Sequence, residues 1–262
     1  MREWEKNGGA ERKSMDGPEI AGAAVLGAAI VGAWGAVHPQ SQLFGRTIRE
    51  TGNAQTIGLT FDDGPNPAVT PALLDLLDQH DTCATFFLMG SRVRAFPEIA
   101  REIAARGHTI GNHTETHANL TFLTPAKLRA ELNRCSEAIH AAIGGEELSW
   151  MRPPFGFRGP QLGAVVRGLG YSGVAMWSKW AWDWMPQPAS RVIHRLRRVF
   201  GGDILLLHDG DHRVAQGDRR HTVEALRHWL PRWKDAGMRF VTLDAIGSAA
   251  TEDIPATAGG KT

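Results

Sequence analysis

The chain has 262 residues, 42% hydrophobic and 22% charged, a balance that suits one large globular α/β core and excludes a disordered or fibrous class. A net charge of +1 offers no global field to attract nucleic acid or another polyanion. Cys83 and Cys135 are the only cysteines, which rules out a disulfide scaffold and a cysteine-built zinc cage; they are either a pair or two small buried residues.

Residues 1–19 are polar, mixed in charge and without periodicity, and read as a disordered N-terminus. Residues 20–37 then carry no charge over 18 positions, with an apolarity owed largely to Ala and Gly. That places the stretch at the threshold of a membrane-spanning helix. A signal region and a small-residue-rich soluble helix are the competing readings, although the cleavage-like triplet Ala33-Trp34-Gly35 is poor, with Pro39 close behind it. Arg2, Lys6, Arg12 and Lys13 precede the stretch and Arg46 and Arg49 follow it, a bias that puts the N-terminus inside and the large domain outside. The expectation is a single transmembrane anchor with an extracytoplasmic domain; a secreted or periplasmic protein is the alternative. Residues 38–55 read as a linker.

From Thr56 onward strand-like and helix-like runs alternate. The strand-like runs are 56–61, 84–89, 108–112, 149–152, 172–177, 203–208 and 239–243. The clearest helical pattern is 125–143, where Leu128, Leu132, Cys135, Ile139 and Ala142 share one stripe. Thr124 supplies its N-cap, Pro125 its first position and Gly144-Gly145 its end. Thr70-Pro71 repeats the start signal ahead of Leu73, Leu74 and Leu77, and Val223, Leu226, Leu230 and Trp233 form a further stripe that Pro231 should kink or break. Seven strands with six intervening helices predict a parallel sheet, closed as a barrel or doubly wound. Residues 248–262 read as a disordered tail.

Several strand ends carry chemistry. Thr60-Phe61-Asp62-Asp63-Gly64-Pro65 ends the first strand on adjacent carboxylates, which raise each other's pKa unless a cation lies between them. A solvated Asx-type turn is the alternative for such a pair standing alone. His113 and His117, at i and i+4, predict two imidazoles on one side of a helical turn. With Asp63 they give two neutral nitrogens and a carboxylate, a set suited to catalytic Zn²⁺ or a similar divalent ion with a position left for water. Exposed helix histidines are the alternative. The remaining carboxylate would be free as a base.

Arg152-Pro153-Pro154-Phe155-Gly156 follows another strand, and Arg152 suits a bidentate grip on a carboxylate; alone, the motif would be a proline-rich turn. The strand at 203–207 ends at His208-Asp209-Gly210, where a histidine can serve as a general acid or as a satisfied core residue. Trp177, Trp180, Trp182 and Trp184 flank Asp183, and the last three share a side if the segment is extended, as a sugar-stacking platform or as core. Arg191, Arg195 and Arg198 read as a basic helix face, either solvated or facing phosphate or anionic lipid.

Together these five motifs, in this order, resemble the polysaccharide deacetylase family (carbohydrate esterase family 4, the NodB-like homology domain) over roughly Ile57 to Leu243. The resemblance implies an irregular (β/α)7 barrel over 56–247, to which the residue reading adds 20–37 as a single N-terminal hydrophobic helix. It implies hydrolysis of acetamido groups on N-acetylated sugar polymers, oligomers or lipid-linked sugars, with a divalent metal, Zn²⁺ or alternatively Co²⁺; the near-neutral charge argues for no nucleic acid. By likeness to the family's motifs, Asp62 is the base, Asp63, His113 and His117 the metal ligands, Arg152 the brace of the base and Asp183 the support of His208, the acid. By the same likeness, Phe155 is expected to give its backbone N–H to the oxyanion, and Trp184 and Leu206 to wall the acetyl pocket. Three positions depart from the family pattern: Ala118 where Pro often follows the second histidine, Phe155 where Tyr is frequent, and Trp180 where the fourth motif usually has an earlier Asp. Deformylation, deacetylation of a lipid-linked sugar, and a non-catalytic binding module are the rival readings; the last would be expected to lack Asp62 or His208, and both are present.

Overall fold

The computed structural model describes residues 17–145 and 148–246, so the readings of residues 1–16 and 248–262 lie outside the described residues. α1 (Gly17–Val37) and a two-residue β1 (Thr47–Ile48) come first. The main alternation then runs β2 (Thr56–Gly64), α2 (Thr70–Gln79), β3 (Thr85–Leu88), α3 (Gly90–Ala95), α4 (Pro97–Ala105) and β4 (Thr109–Asn112). It continues through α5 (Pro125–Ile143), β5 (Trp150–Met151), α6 (Leu162–Gly168) and β6 (Gly173–Ala175). β7 (Lys179–Trp180), α7 (Ala189–Leu196), β8 (Ile204–His208), α8 (Arg220–Asp235) and β9 (Arg239–Phe240) complete it.

The sheet has the order β1-β6-β5-β4-β3-β2-β8-β7, with β9 joining β2, and the pairings between these strands are parallel. It curls into a half-barrel with helices packed on it, in agreement with the barrel expected from the sequence. β2 lies between β3 and β8, and all nine of its residues are buried, as a parallel strand covered on both faces requires. Ile57, Leu59 and Phe61 point into a core shared with Leu73 and Leu77 of α2 and Leu226 and Leu230 of α8. Each such side chain contributes about 1.5–3 kcal/mol on burial.

The stripe predicted on α5 serves two clusters. Cys135, Ile139 and Ala142 join the main core, whereas Leu128 and Leu132 meet Met151, Leu162 and Val166. Thr124 caps this helix by accepting from the Lys127 N–H at 3.4 Å, and Gly144 ends it at φ 92°, a left-handed conformation that favours glycine.

The structure departs from the sequence reading in several places. β1 and β7, unmarked by any apolar run, extend the two edges of the sheet. α8 continues through Pro231 to Asp235 rather than stopping there. Cys83 and Cys135 are both free, the first exposed and the second buried. The arginines at 191, 195 and 198 do not form one helix face, because α7 ends at Leu196 and Arg195 turns back to bond the Ala181 carbonyl (3.0 Å) and Gln187 (2.8 Å). The uncharged stretch is helical, as α1, and is exposed along most of its length. Even so, no helix among the described residues is long and apolar enough to cross a membrane. Glycine and alanine fill much of α1 and bring it below what a span needs.

Candidate active site

The site is assembled where parallel strands end. Register sets Asp62 of β2 directly beside His208 of β8, and Asn112 of β4 beside Met151 of β5, so that His113 and Arg152 emerge next to each other. A cleft of about 370 Å³ opens over these ends, lined by Asp62, Asp63, His113, His117, His208, His212 and Arg213 on its polar side. Trp177, Trp180, Trp182, Trp184 and Leu206 form much of its apolar wall.

Asp62 is held from below. The Arg152 guanidinium, fully buried, donates through Nη1 to Asp62 Oδ1 at 2.8 Å and to Thr60 Oγ1 at 2.7 Å. Its Nε and Nη2 donate to the carbonyls of Ala175 (3.2 Å) and Met176 (3.0 Å). The expected bidentate grip is therefore a single contact, because the other guanidinium nitrogens are committed to strand-end carbonyls. Burial lowers the Arg152 pKa, and the negative charge of Asp62 works against that shift.

Asp63 points the other way, toward imidazoles. His117 Nε2 lies 3.1 Å and His113 Nε2 3.4 Å from Oδ1, while His212 Nδ1 lies 3.6 Å from Oδ2. Burial would raise the Asp63 carboxyl, but His113, His117 and His212 outweigh it and hold the pKa well below the usual range. His113 Nδ1 donates to the Arg152 carbonyl at 2.9 Å, which turns the Nε2 lone pair into the cleft.

The two predicted histidines do not lie on a helical turn. They sit on the loop after β4, with Thr114 at φ 68° and His117 at φ 59°. Asn112 Oδ1 accepts from the Thr114 N–H (2.8 Å), Thr114 Oγ1 accepts from the His117 N–H (3.1 Å), and Glu131 accepts from the Thr116 N–H (3.0 Å). Side-chain acceptors thus fold the segment back on itself, and its i, i+4 spacing converges the rings by a loop rather than by a helix.

His208 is gripped by Asp183, whose Oδ1 accepts from Nδ1 (2.9 Å) and whose Oδ2 accepts from the His208 backbone N–H (2.8 Å). Thr222 Oγ1 donates to the same Oδ2 at 2.8 Å. Burial alone would lower the His208 pKa, yet Asp183, with smaller contributions from Asp63 and Asp62, pushes it up to about 9. Phe155 has φ 59° and sets its ring edge-on against His117 at 4.5 Å. Leu206 is buried in the wall, whereas Trp184 is 41% exposed at the mouth.

His212 is the residue that sequence reading missed. Its ring stacks on His117 at 4.3 Å, and Asp63, His117 and His212 bring ligand atoms within 4.8 Å of one another. A signal existed: His208 and His212 repeat the His-x-x-x-His spacing of the earlier pair. The donor set fits a divalent ion. Asp63 Oδ1 and His117 Nδ1 are buried without a hydrogen bond, and three imidazoles surround one carboxylate, the nitrogen-rich mixture that zinc-like ions take.

Carboxylates and imidazoles gathered at the open ends of a curled parallel sheet are the arrangement of a metal-assisted hydrolase. The family is specific within that class. The polysaccharide deacetylase model matches residues 49–174. A peptidoglycan-N-acetylglucosamine deacetylase of Bacillus cereus is 36% identical over 200 residues, covering 74% of this chain and 89% of that one. A chitooligosaccharide deacetylase of Azorhizobium caulinodans is 33% identical, covering 77% and 99%. Among solved structures, a peptidoglycan N-acetylglucosamine deacetylase superposes with a TM-score of 0.69 at 33% identity, covering 76% of this chain and 91% of that one. The chain belongs to the polysaccharide deacetylase family, a group of carbohydrate esterases that hydrolyse amide bonds on sugars.

Proposed function

We propose that the protein removes acetyl groups from N-acetylated sugar oligomers or polymers, with Asp63, His113 and His117 holding a divalent ion. The observation that carries this reading is the division of labour between adjacent carboxylates: Asp62 is braced by Arg152, and Asp63 faces imidazoles. A bound divalent ion supplies Lewis acidity and lowers the pKa of water. Asp62, fixed by Arg152, takes the proton from the attacking water. The Phe155 backbone N–H is assigned to the developing oxyanion. His208, kept protonated by Asp183, gives its proton to the departing amine, and Leu206 and Trp184 confine the methyl group.

Zn²⁺ is the ion we favour, from the histidine-rich donor set. Since named relatives act on peptidoglycan, we place the catalytic domain outside the cytoplasm, and take the exposed apolar side chains of α1, among them Val25, Leu26, Ile30 and Val31, as the membrane contact. A lipid-linked sugar finds less support, because Arg195 is committed to Ala181 and Gln187. The test is acetate release from peptidoglycan and from N-acetylglucosamine oligomers, before and after chelation and with Zn²⁺ or Co²⁺ restored. Loss on chelation and recovery on restoration are expected; full activity in a preparation shown metal-free by elemental analysis would reject the metal assignment. Vesicle flotation of the full chain against one starting at Gln40 tests the membrane contact.

A further inference from the structure

Outward indoles alternate with buried residues from the end of β7 into the segment that follows it. Trp180, Trp182 and Trp184 are 44%, 43% and 41% exposed, whereas Ala181 and Asp183 between them are buried. Trp180 and Trp182 lie against each other, their ring centroids 4.1 Å apart and their planes tilted by 38°, and both line the cleft. Trp182 holds φ 56°, a conformation that a bulky side chain adopts only when its surroundings impose it.

Those surroundings are specific. Four successive carbonyls are each taken by a side chain from elsewhere: Ala181 by Arg195 (3.0 Å), Trp182 by Gln187, Asp183 by His221 (2.8 Å) and Trp184 by Arg219 (2.7 Å). Gln187 is in turn held by Arg195 at 2.8 Å, and Arg219 by Asp211 at 2.7 Å. Left to hydrophobicity alone, a pair of adjacent tryptophans would fold inward. Here the backbone is fastened so that each indole, though packed on the other, stays partly exposed beside the reacting groups.

We infer that Trp180 and Trp182 form a stacking subsite for a second sugar ring, next to the ring whose acetamide is hydrolysed, so that the enzyme selects chains over single sugars. This rests on the deacetylase reading. An indole face is flat and apolar, matching the C–H face of a pyranose, and a rigid aromatic loses little freedom on contact. Trp180 stands where the family pattern usually has an aspartate, so the subsite belongs to this chain's own departure from that pattern. The test uses β-1,4-linked N-acetylglucosamine oligomers of one to six units and two readouts, kcat/KM for acetate release and quenching of tryptophan fluorescence on binding. In the unaltered protein kcat/KM should rise about tenfold or more between one and four units. Trp180→Ala and Trp182→Ala should flatten that rise mainly through KM, and Trp180→Phe should restore part of it, which loss of folding would not allow. An undiminished length dependence in both alanine variants would overturn the inference while leaving deacetylation intact. Oligomer binding that is lost in the variants, in a protein that releases no acetate from any sugar, would keep the subsite and overturn the activity instead.

Discussion

Two buried arginines leave the same loop after β5, six positions apart, and they do opposite work. Arg152 meets a carboxylate; Arg158 meets only carbonyls. The Arg158 Nη1 donates to Ser41 at 2.7 Å, its Nη2 to His38, and its backbone N–H to the Ala36 carbonyl at 2.9 Å. Its Nε has no partner, and burial with no facing anion brings its pKa down to about 10. A buried cation opposite an anion fixes a reacting group in place, whereas a buried cation among carbonyls fastens chain to chain. Arg152 thus belongs to the chemistry and Arg158 to the join between α1 and the domain.

The largest expected effects lie on the Arg152 side. Asp62→Asn should lower kcat severely while metal stays bound, and His208→Ala should lower it roughly 10²–10⁴-fold, the usual worth of a general acid. His113→Ala should instead lose the ion, as elemental analysis would show. If Asp62→Asn emptied the metal site and left a reconstituted enzyme active, the base and ligand assignments would have to be exchanged.

Arg152→Met leaves a buried carboxylate unpaired and should cost about 3–5 kcal/mol in urea unfolding, together with most of the turnover. Arg158→Met leaves only carbonyls unpaired, some of which water can reach, for a loss of about 1–3 kcal/mol with kcat unchanged. Equal loss of turnover in the two variants would erase the distinction drawn between them.

A smaller effect concerns proton supply. His208 has its pKa raised to about 9 by Asp183, so it is protonated across neutral pH, and activity should fall on the alkaline side as pH rises through that value. The stability that this contact contributes has the same sign: fully present below the ordinary histidine pKa, and lost as pH climbs toward 9. Asp183→Asn should move the alkaline limb of the pH–rate profile to lower pH. A limb that stays in place would remove His208 from the acid role. Smallest of all, Thr124→Ala should cost about 0.5–1 kcal/mol, since its cap bond is long at 3.4 Å.

Strand runs such as 56–61 and 203–208 were legible because a parallel strand buried on both faces must be apolar almost throughout, and these nearly are. β1 and β7 carry no such mark, being two-residue edges made by pairing alone. Asp62, Asp63, His113, Arg152 and His208 stand at or next to strand ends, where register delivers side chains to one cleft, whereas the part given to Asp183 came only with the family resemblance. What could not be read was the path between them. The loop after β4 owes its shape to Asn112, Thr114 and Glu131, residues whose turn-forming role shows only when their acceptors find particular N–H groups. Arg158 escaped for a related reason, since its partners lie far away in the chain; His212 did carry a spacing signal, but only its tertiary contact with Asp63 and His117 shows its use.

The fastening at Arg158 has a mechanical consequence. A 21-residue helix is roughly 30 Å long, and one joined by a slack tether would let the domain turn freely around it. Three hydrogen bonds from one residue across the turn at Ala36, His38 and Ser41 make the joint a bracket instead. A surface that held α1, as proposed for a membrane, would therefore set the bearing of the cleft as well as its distance. Reach and attitude of the cleft would then become one quantity.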